Sequence, residues 1–238
     1  MKTRVSWLDS KHSFSFGEHY DPENTHHGLL LVNNEDIVTP GQGFETHPHR
    51  DMEIVTWVLD GSLVHQDSLG HSGVIYPGLA QRMSAGTGIL HSEKNDSWRL
   101  SNAAEHDVPV HFVQMWIVPD EPALTPGYEQ LEIDDELAGG RLVTVASGLP
   151  RYRDRTAIAI NSSHSAFHVA RMPEGAVELP DAPYLHLFVA RGEVDMEGVG
   201  TLYEGDAVRL TRSGGQRVTA RRPSEILVWE MHARLGAQ

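Results

Sequence analysis

Cysteine is absent from all 238 residues, which removes disulfides, thiolate nucleophiles and cysteine-ligated zinc from consideration. Basic residues are scarce: 19 Lys and Arg stand against 33 Asp and Glu, a formal net charge of −14. A protein that grips a phosphate backbone needs a basic face to displace counterions, so direct nucleic-acid binding is not expected. Long apolar runs are missing too, and no segment qualifies as a transmembrane helix. The opening Met1-Lys2-Thr3-Arg4-Val5-Ser6-Trp7-Leu8-Asp9 has no apolar core of the signal-peptide kind; a cytoplasmic protein is expected. Helical periodicity over a dozen residues is hard to find anywhere.

What the chain does have is a series of strand-length apolar runs, each closely followed by turn residues. Leu29-Leu30-Leu31-Val32, Ile54 to Leu59, Val110 to Val118, Ala157 to Ile160 and Leu185 to Val189 are examples. Their length and composition predict short strands, and many such strands point to an all-β sandwich or barrel. Midway, Pro119, Pro122, Pro126 and Gly127 precede the acidic Glu132-Ile133-Asp134-Asp135-Glu136, a composition that marks a linker. The expected domains are residues 1–132 and 133–238. The halves resemble each other weakly. Gly61 and Gly78 close turns in the first, Gly192 and Gly205 in the second, as two copies of one barrel would require.

The chemistry concentrates between His47 and Asn95. Residues at i and i+2 of a strand share a face, so His47 and His49 project together, as do His91 and Glu93. Pro48 suits a strand start or edge. If the two segments face each other, three imidazoles and a carboxylate converge. That donor set suits Fe, Mn, Ni, Cu or Zn without choosing among them. The remaining histidines, His65 among them, are read as surface or hydrogen-bonded core residues.

The spacing from Gly41 through His47-Pro48-His49 to Glu53 and Gly61 resembles the first cupin motif. Gly88, His91 and Asn95 resemble the end of the second. More narrowly, His47-Pro48-His49-Arg50-Asp51-Met52-Glu53, Asp67-Ser68-Leu69-Gly70, Gln81 to Glu93 and Pro126-Gly127-Tyr128-Glu129-Gln130 resemble the pirin family of bicupins. Gly61 stands one residue later than the general cupin spacing, and Gly86 replaces that motif's proline.

The resemblance implies two tandem cupin barrels (double-stranded β-helix, jelly-roll) with few short helices. It implies one divalent transition metal on His47, His49, His91 and Glu93, with Fe(II) the first choice and Mn, Ni, Cu, Zn and Co compatible. The implied activity is that of a quercetin 2,3-dioxygenase, which opens a flavonol ring with oxygen. In this reading Glu93 is the proton acceptor, and Glu53, at the parity of His47 and His49, a supporting candidate. Trp57, Phe112, Met52, Met83 and Met115 are expected either to line the substrate pocket or to form barrel core. The other implied reading is a non-enzymatic, metal-binding regulator of a transcription factor or metabolic enzyme. The C-terminal barrel is expected to hold no metal. Counted from Gly192 and Gly205, the places of His47, His49 and His91 fall on Glu178, Pro180 and Val218.

Overall fold

The computed structural model describes residues 1–101 and 104–236. The chain divides into two compact units, Met1–Thr25 with Leu31–Glu132 and His26–Leu30 with Ile133–Gln238.

In the first unit the apolar runs and their neighbours form β1 (Lys2–Arg4), β2 (Leu8–His12), β3 (Leu30–Val38), β4 (Gly43–His49), β5 (Glu53–Asp60) and β6 (Leu63–Asp67). There follow β7 (Ser72–Ile75), β8 (Leu79–Ser84), β9 (Ile89–Lys94), the one-turn helix α1 (Trp98–Ser101), β10 (Val110–Ile117) and β11 (Gly127–Glu132). One sheet has the order β1-β2-β3-β10-β5-β8-β11 and the other β4-β9-β6-β7. Burial follows position. In β5 every residue but Asp60 is buried, as a strand covered on both faces demands. In β4, at a sheet edge, no residue is fully buried. Val38, Val58, Leu63, Ile75, Leu79, Val110 and Phe112 form a core drawn from strands of both sheets. Each such side chain contributes about 1.5–3 kcal/mol on burial.

The second unit contains α2 (Asp134–Leu137), β12 (Val143–Ser147), β13 (Ile158–Ala159), β14 (Ser165–Met172), β15 (Ala176–Glu178), β16 (Ala182–Arg191) and β17 (Glu193–Met196). It ends with β18 (Gly200–Tyr203), β19 (Ala207–Ser213), β20 (Arg217–Ala220) and β21 (Ser224–Met231). Its sheets run β13-β12-β14-β21-β16-β19 and β15-β20-β17-β18. The repeat is now explicit: β3-β10-β5-β8 matches β14-β21-β16-β19, and β4-β9-β6-β7 matches β15-β20-β17-β18. Each unit is a double-sheet jelly roll, the cupin barrel.

The repeated turn shows the same constraint twice. Gly61 has φ +73°, and a Cβ there would lie 2.7 Å from the Pro109 carbonyl oxygen. Gly192 has φ +81°, and its Cβ would lie 2.3 Å from that of Pro223. Only glycine fits a left-handed turn pressed against a neighbouring backbone.

Two expectations need correction. The Pro-rich, acidic segment is not all linker, because β11 pairs along β8 and Arg82 holds Glu129 at 2.8 Å. The counted position for His47 is one residue off. His91 pairs with His47 across β4 and β9, whereas Val218 pairs with Val177 across β15 and β20, not with Glu178. A one-residue slip exchanges the faces of a strand, and Val177 and Val218 both lie in the apolar core of the second unit.

Candidate metal centre

Antiparallel pairing of β4 with β9 sets His47 directly opposite His91. Opposite residues and their i±2 neighbours share a face, so His49 and Glu93 join them. The result is compact. The His47 and His91 rings lie 4.5 Å apart, and His49 lies 4.8 Å from each. The Nε2 atoms of His47 and His91 are 3.0 Å apart. Two nitrogens about 2.1 Å from one ion and at right angles about it lie about 3.0 Å apart.

Protonation suits metal binding. His47 Nδ1 donates to the Glu45 carbonyl at 2.7 Å, which leaves the Nε2 lone pair free. Burial, reinforced by the other two imidazoles, pushes the His49 pKa down to about 4. Burial, with His47 and His65 nearby, pushes His91 down to about 3. Neutral imidazoles are what a metal needs. The Nε2 of His49 is buried with no hydrogen-bond partner among the described residues. Buried polar atoms are almost always partnered, so a lone pair left bare beside two others fits a metal ligand.

Glu93 stands slightly apart. Its Oε2 lies 4.0 Å from His91 Nε2 and accepts from Gln114 Nε2 at 2.7 Å. Gln114 cannot turn its amide round, because its Oε1 accepts from the Trp116 indole at 3.1 Å. Donor atoms cluster as two trios sharing His91: His47, His49 and His91, and His65, His91 and Glu93, each within 4.8 Å.

Behind His91 stands a further layer. Pairing of β6 with β9 sets Asp67 opposite His91 and His65 opposite Glu93. The Nδ1 atoms of His65 and His91 face each other at 3.5 Å, and His65 Nε2 lies 3.2 Å from Asp67 Oδ2. Both side chains are sealed, at 1% and 0% exposure. Outer groups of this kind hold ligating histidines in orientation.

The centre opens on a cavity of about 620 Å³ whose walls include His47, His49, Glu93, Gln114 and Trp116. That is the size of a small-molecule site. Phe16 meets Trp116 edge-on at 5.6 Å, and Trp7 meets Phe44 at 5.4 Å; all four rings line the space. Asp36 also lines it. Burial pushes its carboxyl up to about 7 against a hydrogen bond from Ser10, with Glu93 and Glu35 adding to the rise.

The sequence profile described as Pirin matches residues 1–117. A Mycobacterium tuberculosis protein, named provisionally as a quercetin 2,3-dioxygenase, is 62% identical over 235 residues, covering 98% of this chain and 92% of its own. The chain belongs to the pirin family. The quercetin 2,3-dioxygenase of Escherichia coli K12 is 49% identical over 128 residues, 54% of this chain and 52% of its own. The bacterial pirin YhhW from E. coli, solved in complex with nickel(II), is 31% identical with a TM-score of 0.82, covering 98% of this chain and 95% of its own.

In this pirin the structure brings His47, His49, His91 and Glu93 to one face, and Glu53 elsewhere. β4 ends at His49, the chain turns through Asp51 at φ +50°, and Glu53 begins β5 in the other sheet. Glu53 leaves the face of His47 and His49 because the strand does not continue. Glu53 is buried, accepts from Ser84 Oγ at 2.9 Å, and is not among the residues lining the cavity. Of the two places expected for the residues near the motif strands, the barrel core is the one they take. Trp57, Phe112, Met83 and Met115 are at most 1% exposed, and Met52 packs on the small core beside Met83. The lining comes from the N-terminal segment and from β3, β4 and β9, with Trp116 and Gln114 from β10.

Proposed function

We propose that this chain is a metal-dependent dioxygenase that opens the ring of flavonols such as quercetin with molecular oxygen and releases one ring carbon as carbon monoxide. The cavity carries this reading: it joins His47, His49 and Glu93 to a set of facing aromatic rings. The metal is assigned to His47, His49, His91 and Glu93 of the first unit, one ion per chain. Fe(II) is the ion expected. Nickel(II), held by the E. coli pirin, and Mn, Co, Cu and Zn accept the same donors. The second unit is assigned none, since Val177 and Val218 stand where His47 and His91 stand in the first.

When bound, the ion supplies Lewis acidity that makes the deprotonated form of a coordinated hydroxyl accessible near neutral pH. The chain's own residues do the rest. Glu93 accepts the proton of the substrate hydroxyl. Gln114, fixed by Trp116, holds that carboxylate in place. Trp116, Phe16, Trp7 and Phe44 take the flat rings and exclude water. Dioxygen is the oxidant, and both its atoms remain in the opened organic product.

Oxygen uptake by reconstituted protein tests this. Quercetin and oxygen should disappear in equal amounts, with carbon monoxide released, and metal-free protein should do neither. Protein shown to hold each of the six ions in turn, yet taking up no oxygen, would overturn the reading in favour of a non-enzymatic binder.

A further inference from the structure

The cavity also carries a polar rank among its aromatic residues, with His12 stacked on Phe16 at 5.2 Å. The register of β2 on β3 sets Ser10 opposite Asp36 and His12 opposite Asn34. Opposite pairs two residues apart share a face, and all four line the cavity. They are buried, at 2%, 4%, 7% and 4% exposure respectively. Ser10 donates to Asp36, and His12 Nε2 pairs with Thr3 Oγ1 at 3.0 Å. Two acceptors are left over: Asp36 Oδ1 and Asn34 Oδ1, both buried and without a hydrogen-bond partner among the described residues.

Unmet buried acceptors are rare and costly. Two of them, side by side in a cavity otherwise rich in aromatic surface, call for a ligand that brings hydrogen-bond donors on an aromatic frame. We infer that Asp36 and Asn34 form a hydroxyl-recognition subsite, selecting flat aromatic substrates with phenolic hydroxyls on the ring remote from the metal-binding edge. This rests on the flavonol reading above and narrows it. It assigns specificity to β2 and β3, outside the histidine motifs.

The test compares galangin, kaempferol and quercetin, which share the hydroxy-keto edge and carry none, one and two hydroxyls on the remote ring. Dissociation constants are measured without oxygen on metal-loaded protein, from quenching of tryptophan fluorescence. Wild type should bind quercetin at least about tenfold more tightly than galangin, the effect of one or two well-made hydrogen bonds. Asp36→Leu should bring that ratio close to one. Asp36→Asn, which keeps an oxygen acceptor and stays polar if the leucine variant misfolds, should retain part of it. Equal affinities in wild type, or an unchanged ratio in Asp36→Leu, overturn the subsite. Preferential binding without oxygen uptake overturns the dioxygenase reading and leaves the subsite standing. Oxygen uptake with equal affinities does the reverse, and no binding of any flavonol overturns both.

Discussion

Replacing His65 by leucine should weaken metal binding without unfolding the barrel. The imidazole is 1% exposed and makes no use of solvent. It lies 3.5 Å from His91 Nδ1 on one side and 3.2 Å from Asp67 on the other. Leucine fills similar space but presents nothing to His91, whose ring then loses the group that fixes its rotation. Removal of such an orienting partner costs ten- to a hundredfold in metal affinity, about 1.4–2.7 kcal/mol. The fold should survive because Asp67 keeps His71 Nδ1 at 2.9 Å and the backbone N–H groups of Leu69 and His71 at 2.9 and 3.1 Å. The assay is competition with a chromophoric chelator, with circular dichroism checking the fold. His71→Leu is the control, since it removes Asp67's other imidazole and leaves His65 facing His91. Wild-type affinity in His65→Leu would refute the reasoning. So would an equal loss in both variants, which would trace the effect to Asp67 and the loop alone.

Glu93→Gln, assayed at metal occupancy matched to wild type, should lower kcat by at least about a hundredfold, the usual contribution of a general base, while changing flavonol affinity little. A parallel loss in both would make Glu93 a binding residue only. Acid should destabilise the second unit through its buried histidines. Burial, with Arg151 nearby, pushes His168 down to about 3, and burial, with Arg209 and His27, does the same to His186. Both lie below the unfolded value of about 6.5, so the unfolded chain binds more protons between those limits. The stability is present above about pH 6.5 and is lost as pH falls toward 3. Thermal midpoints measured from pH 7 to 4 should therefore drop less steeply in His186→Phe, and an unchanged slope would count against this.

Much of the centre is legible in the sequence because strand parity is local. His47 with His49, and His91 with Glu93, need only an extended backbone to share a face. The part that was not legible depends on pairing between distant strands. His65 looked like any core histidine until β6 lay beside β9, although His65 and Asp67 form an i, i+2 pair ahead of the Asp67-Ser68-Leu69-Gly70 motif. The parity of Glu53 was misleading because a left-handed turn at Asp51 breaks the strand between it and His49. Trp57 and Phe112 take the barrel-core alternative, and the cavity's aromatic lining includes Trp7 and Phe16 from the N-terminal segment, which carries no motif to announce it. In the second barrel, counting from Gly205 reached Val218 correctly, while the longer count from Gly192 missed Val177 by one.

The central claim is that three histidines and Glu93 hold one ion in the first unit. Elemental analysis after extensive dialysis tests it most directly, on wild type and on His49→Ala and His91→Ala purified in parallel. The account expects one equivalent of a divalent transition metal per wild-type chain and near-complete loss in both variants, with circular dichroism unchanged. Full occupancy in either variant, or two tightly held equivalents in wild type, would contradict it.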